Sequence, residues 1–414
     1  MDPTTITPTP GDLQDFIAEV FASLVRKDQR DTTGYYLQGL MLDGRRKSMQ
    51  PMAQRLGIDH QRLQQFVTTS PWAVEPVRQV LAAKAIEVID PVAFVVDDTG
   101  FVKDGVASPG VARQYSGTLG KVGNVQIGVS VHAVTDHASC PLNWRLYLPA
   151  SWDETSATSQ EERVRIRQRR ARAKIPEQVG HRSKADLALA MIDELAFWGH
   201  RPPVVVADAG YGDSGLLRTA LTARNIDYVV QVKAATSMHP ADVVYEVEPA
   251  YAGTGRPRTT GYQTRPVHAE EVALSLSVEC YRQVTWRQGT TGEMTGRFAA
   301  VRVRPANRNI PRCPDGTLPE RWLLVEWPET APAPTDYWLS TLPADTNIEA
   351  LVRLGKIRWR IEHDYRELKH GLGLDHFEGR SWLGWHHHTT LVTAAHLYVT
   401  TLRLGADPKA GSAG

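Results

Sequence analysis

Two short apolar runs, each stopping at an aspartate, constrain this chain more than any other feature of it. They are Val92-Ala-Phe-Val-Val96, which ends in Asp97-Asp98, and Val204-Val-Val-Ala207, which ends in Asp208. Both are unbroken rather than alternating, the pattern of strands covered on both faces, so a sheet flanked by helices is expected. A strand of this kind also delivers whatever follows it to its carboxyl end, where ligands of open α/β sheets gather. Two carboxylates placed that way are the first candidates for chemistry.

The remaining texture is consistent with such a sheet. Residues 1–88 are helical in pattern after a Pro- and Thr-rich start (MDPTTITPTP) that reads as disordered, with Phe16, Val20, Leu24, Met52, Leu56, Leu63 and Phe66 at helical spacings. Within them MAQRLGIDHQRLQQFV has the form of a helix-turn-helix, Gly57 at the turn and His60, Gln61, Arg62 and Gln64 turned outward, where Gln61 and Arg62 are candidates to read DNA. A plain helical pair is the alternative. From residue 89 to 233 the order is β-β-β-α-β-α-β: strands at about 92–96, 122–134 and 142–148, a helix over 184–198, the strand at 204–207, a helix over 214–224 and a strand over 228–232. That is the order of a ribonuclease-H-like fold, a mixed α/β sheet in which the first and fourth strands would lie side by side. Residues 234–345 break into short Gly-, Pro- and Thr-rich strands, a β-rich insertion. Residues 346–402 complete the core with a helix over about 348–370, and 403–414 form a flexible tail.

The chain of 414 residues is long enough for two or three domains. It contains no apolar run near the roughly 18 residues a membrane span needs and no signal-peptide pattern, so a cytoplasmic, nucleoid-associated protein without a membrane partner is expected. Cys140, Cys280 and Cys313 lie far apart and form no CxxC pair, which argues against a disulfide framework or a structural zinc site. The net charge of +1 gives no general sign of a nucleic-acid partner. Local charge does: RVRIRQRRARAK, residues 163–174, holds seven basic residues in twelve, either a phosphate-contacting surface or a solvated helix face.

A third carboxylate comes from Arg358-Trp-Arg-Ile-Glu-His-Asp-Tyr-Arg-Glu-Leu-Lys369. At 100° per residue from Arg358, Glu362 falls at about 40°, Tyr365 at about 340° and Lys369 at about 20°, on one face, while Glu367 falls at about 180° and should face water. Ile357, Ile361 and Leu368 form the stripe beside that polar face. Alone this is an amphipathic helix with an i,i+4 pair of Arg358 and Glu362. Joined to the two strand-end aspartates it supplies a third oxygen donor. Three converging carboxylates repel one another unless cations hold them, and two magnesium ions about 3.5–4 Å apart suit both the donors and phosphodiester chemistry.

These segments resemble DDE transposases of bacterial insertion sequences, in the clan of insertion sequence 4 and most closely the insertion sequence 701 family, over nearly the whole chain. VVDDTGFVKDG, QYSGTLGKVGNVQIGV, VVADAGYG and GLDHFEGRSWLGWHHH are similar to the family's blocks around the carboxylates, and Arg358, Glu362 and Lys369 fit the Arg-x3-Glu-x6-Lys part of its Tyr-x2-Arg-x3-Glu-x6-Lys pattern. Gly355 stands at the tyrosine position, while Tyr365 lies on the same helix face. The resemblance implies Asp98, Asp208 and Glu362 as catalytic metal ligands, with Asp98 preferred to Asp97 because the family's ligand directly precedes the threonine, here Thr99. It implies two Mg2+ ions, with Mn2+ able to substitute. Arg358 and Lys369 would contact DNA phosphates, Tyr365 is a further DNA-binding candidate, and Trp286 would stack on a flipped base, the alternative being a core tryptophan. It implies a homodimer working on paired element ends, with double-stranded DNA as both substrate and target. Three histidines in a row, His386 to His388, cannot all face one ion on a regular element.

Three functions fit these residues: a transposase that cuts its terminal inverted repeats and joins them to a target, a metal-dependent nuclease of the same fold without strand transfer, and a non-catalytic DNA-binding derivative. The intact carboxylates speak against the last.

Overall fold

The computed structural model describes residues 10–117, 119–246, 253, 261–289, 292–307 and 310–406. The expected disordered start and most of the expected tail therefore lie outside the described residues. The chain forms two compact units, one of residues 1–202 and 359–414, the other of residues 203–358.

The first unit opens with five helices: α1 (Pro10–Val20), α2 (Lys27–Met41), α3 (Met49–Leu56), α4 (His60–Thr68) and α5 (Val74–Ile89). The periodic apolar residues form their core: Phe16, Val20, Leu24, Met52, Leu63 and Phe66 are all buried. Gly57 ends α3 at φ +65°, a left-handed turn that favours glycine, and Asp59 starts α4 by accepting from the Gln61 amide.

Four strands follow: β1 (Ala93–Val102), β2 (Ala112–Ser116), β3 (Lys121–Val134) and β4 (Ser139–Leu146). β3 is the long spine, pairing antiparallel with β1, β2 and β4. β1 runs well beyond the apolar run because its ladder with β3 continues to Val102, opposite Val125. The two aspartates therefore sit within the strand and not at its end. Helices α6 (Gln160–Arg172) and α7 (Lys184–Phe197) come next. Asn143 and Arg145 of β4 bond Glu194 of α7, which fixes the sheet face that α7 covers.

The second unit begins with β5 (Val205–Ala207), the short helix α8 (Ala209–Gly212), α9 (Gly215–Ala223) and β6 (Tyr228–Val232), with β5 and β6 parallel. Then come β7 (Ser237–Pro240), β8 (Tyr245–Glu246), β9 (Gly261–Tyr262), β10 (Val267–His268), α10 (Ala269–Ser275), β11 (Arg282–Gly289), β12 (Gly292–Pro305), β13 (Arg321–Glu326), β14 (Asp336–Ser340) and α11 (Ile348–Lys356). The β-rich segment does not stand apart from the core strands. β14 pairs with β6, and the sheet continues through β13, β12, β7 and β10, so this unit carries one mixed sheet. β8 and β9 form a separate two-stranded pair.

The chain then returns to the first unit with α12 (Trp359–Arg366), a π turn (Glu367–Gly371) and α13 (Trp382–Ala406). Here the sequence expectation of one regular helix over 348–370 fails twice. The helix breaks at Ile357–Arg358, between α11 and α12, and its last turn widens to π geometry. A π turn adds a residue per turn, so everything beyond it rotates off the 100° spacing. α13 reaches Ala406, so the first residues of the expected tail are helical.

Candidate active site

Strand alternation sends Asp97 and Asp98 to opposite faces of the first unit's sheet. Asp97 stands opposite Ser130 on the face against which α12 packs, where Tyr365 Oη lies 2.8 Å from Ser130 Oγ. It is 7% exposed, and its Oδ1 accepts from the Asp98 amide at 2.7 Å. Asp98 stands opposite Val129 on the α7 face, partly exposed. There both of its carboxylate oxygens receive the Lys184 ammonium at 3.0 Å. Two criteria therefore divide the pair: Asp97 shares the face of α12, whereas Asp98 is the more accessible and already holds a cation. A magnesium ligand needs room for water and phosphate beside it, which favours Asp98.

Asp208 is the first residue beyond β5 in the second unit. Its Oδ1 accepts from the Gly210 amide at 2.9 Å, capping α8, and it is partly exposed. The glycine after Tyr211 has a steric cause: a Cβ at Gly212 would collide with the carbonyl oxygen of Gln231 on β6, so only glycine lets α8 lie against that strand.

Glu362 is on the exposed side of α12. The residues expected beside it diverge from it. Tyr365 turns to the sheet, and burial together with the Asp97 carboxylate pushes its phenol pKa well up. Lys369 is 6% exposed, donates to the Gly100 carbonyl of β1 at 2.9 Å and sits near the Phe101 ring. Burial lowers its pKa. A phosphate contact by either would require these bonds to break; Tyr365, four residues after the buried Ile361, shares its side of α12, and Lys369 lies within the π turn. Arg358, in the second unit, is partly exposed. Glu367, expected to face water, is instead 26% exposed in its side chain and pairs with Arg403 at 2.6 Å and His396 at 3.4 Å. Burial raises its pKa, but His396 and Arg403 beside it outweigh burial and bring it to about 2.

Reading faces from sequence missed Asp364. It is 1% exposed and accepts from Ser139 Oγ at 2.5 Å, and it bonds His132 Nδ1 at 2.9 Å. Burial pushes its pKa up, yet these partners hold it below the usual carboxylate value. The contacts fasten α12, and so Glu362, to β3 and β4. The available signal was its place between Ile361 and Leu368 in the buried stripe.

Among the DNA-contact candidates, Gln61 is exposed on α4. Arg62 is exposed but folds back on α2, donating to Thr32 Oγ1 at 2.9 Å with its guanidinium over Tyr35. Trp286 lies at an irregularity in the β11–β12 ladder, edge-on to Phe298, with the Lys356 ammonium 5.2 Å from its ring centre. Phe298 and Trp338 flank the same ammonium, which also pairs with Glu326. In α6, Arg169 stacks on Trp152 and Arg170 is buried against the carbonyls of Trp152, Pro176 and Val179, while Arg163, Arg165 and Arg172, with Lys174 just beyond the helix, are exposed. Thus part of the basic run is internal bracing and part is surface. His386, His387 and His388 reach three different places: Arg78, the backbone of Val67 and Trp72, and Tyr36 with the backbone of Gly373 and Leu374. Among the described residues no group of three His, Cys, Asp or Glu side chains could hold a metal ion, and no helix is long and apolar enough to cross a membrane.

A family model described as DDE superfamily endonuclease matches residues 19–293, about two thirds of the chain. The chain belongs to that family. The span that marks it as a DDE endonuclease includes Asp98 and Asp208 but stops short of Glu362. The chain is also 29% identical over 204 residues to the probable transposase for insertion sequence element IS701 of Microchaete diplosiphon, the alignment covering 48% of each protein. The chain thus spans about half the length of the curated relative it matches.

Proposed function

We propose that this DDE endonuclease is the transposase of an insertion sequence, built on a ribonuclease-H-like core, and that Asp98, Asp208 and Glu362 are its metal-binding carboxylates. The observation that carries the reading is the Asp98 carboxylate, held within the β1–β3 ladder and already gripping a cation with both oxygens. The chemistry of the donors suits magnesium: Asp98 and Asp208 offer hard carboxylate oxygens partly open to solvent and Glu362 an exposed one, and magnesium commonly takes one or two carboxylates and completes its shell with water and phosphate. Mn2+ suits the same donors. The ion, when bound, would stabilise the charge that develops on phosphate oxygens during in-line displacement.

The chain's own residues then orient. β1 holds Asp98 rigidly, the Gly210 amide fixes the Asp208 carboxylate, and Asp364 fastens the helix that presents Glu362. Arg358 is suited to hold a scissile-strand phosphate by charge-assisted donation. Gln61 with Arg62, the exposed arginines of α6 and Trp286 are further DNA contacts under this reading, Arg62 after leaving Thr32. The protein would bind the terminal inverted repeats of its element as a homodimer, hydrolyse the strand ends, and join each freed 3′-OH to target DNA.

The test uses DNA carrying the inverted repeats that flank the coding sequence, together with a target duplex and Mg2+. Asp98→Ala, Asp208→Ala and Glu362→Ala should each lower cleavage by at least ~10²-fold, the scale of losing one major transition-state interaction, while gel-shift binding to the ends persists. Unchanged cleavage in the Asp208 or Glu362 variant would sink the assignment. Cleavage without joined product would favour the nuclease over the transposase.

A further inference from the structure

Lys184 is the first residue of α7, directly after its cap Ser183, whose Oγ accepts from the Asp186 amide at 3.1 Å. A cation is badly placed there. The first turn of a helix favours acidic residues, and lysine opposes the helix dipole, so helix formation does not explain this residue. Its ammonium instead reaches Asp98 on β1, 3.0 Å from each carboxylate oxygen. The two side chains are 36% and 23% exposed, so the pair adds little to the stability of the fold. An ammonium in that position engages both carboxylate oxygens that a divalent ion would bind. Magnesium binds carboxylate oxygen at about 2.0–2.1 Å, which would bring two positive centres within a few ångströms of each other in a partly shielded site.

We infer that Lys184 is a latch: its ammonium is the resident counter-ion of Asp98, and divalent metal enters only by displacing it. This rests on Asp98 being a metal ligand, as proposed above. The latch keeps the first carboxylate neutralised when metal is absent and makes metal occupancy a competition. Lysine suits the task, because its ammonium is a compact charge on a flexible stem and leaves without disturbing the backbone.

The test is Mn2+ binding to the full chain without DNA, followed by electron paramagnetic resonance of the free ion, in wild type, Lys184→Gln, Lys184→Arg and Asp98→Asn. Lys184→Gln removes the charge at similar length and should tighten Mn2+ binding about fivefold, equivalent to ~1 kcal/mol. Lys184→Arg keeps the charge and should bind no more tightly than wild type. Asp98→Asn should weaken binding. If Lys184→Gln binds Mn2+ as wild type does, or less tightly, while Asp98→Asn loses the ion, the latch is wrong and the ligand assignment stands. If Asp98→Asn binds as wild type does, the ligand assignment fails and the latch with it.

Discussion

Two neighbouring aspartates on one strand illustrate how little of a residue's role is in its identity. Asp97 is turned into the layer beneath α12 and Asp98 toward Lys184, because a strand alternates its faces. Asp364 makes the same point from the other direction. It is a buried carboxylate whose partners, His132 and Ser139, are more than two hundred positions away in sequence. Removing it leaves His132, which is fully buried, without its acid partner. Asp364→Ala should therefore cost about 3 kcal/mol of unfolding free energy, measured by urea denaturation. A loss below about 1 kcal/mol would mean that this network does not fasten α12. Asp208 and the Asp97-Asp98 pair stand out in the sequence because an apolar run ending in acid is a local pattern. Asp364 and Lys184 do not, since their meaning lies in residues brought near only by the fold.

At the scale of elements, strands and helices were largely legible, since their apolar spacing is local and strong. β6 occupies the expected 228–232, and α7 starts where expected at Lys184. What escaped was irregularity. The break at Ile357–Arg358 and the π turn after α12 carry no plain signature; Lys369, within the π turn, bonds β1, and Tyr365, on the Ile361 side of α12, bonds β3 where an outward face was expected. Helix α13 shows a different use of polar residues. His387 and His388 lie inside the helical layer, and burial pushes the pKa of each down to about 4. Both are neutral in the folded protein at pH values where the unfolded chain, near 6.5, takes up protons. Stability is therefore complete above pH 6.5 and falls as pH drops toward 4, by up to ~3 kcal/mol for each histidine. Thermal melts across this range should show a steep decline in Tm for wild type and a shallower one for His387→Gln. Equal slopes would mean that His387 does not contribute.

For the whole molecule, membership of the DDE endonuclease family rests on a span that includes Asp98 and Asp208 and stops before Glu362. The β-rich segment read from sequence as an insertion continues a sheet through β14 and β6, a long-range pairing that composition alone does not reveal. The proposed role of Asp98 as a metal ligand of a DNA-cutting site can be seen in anomalous scattering from crystals grown with Mn2+ and a duplex carrying the element's end. A manganese peak within coordination distance of an Asp98 carboxylate oxygen is expected, with the Lys184 ammonium withdrawn. A peak on Asp97 with Asp98 still paired to Lys184, or no peak at either residue, would contradict that role.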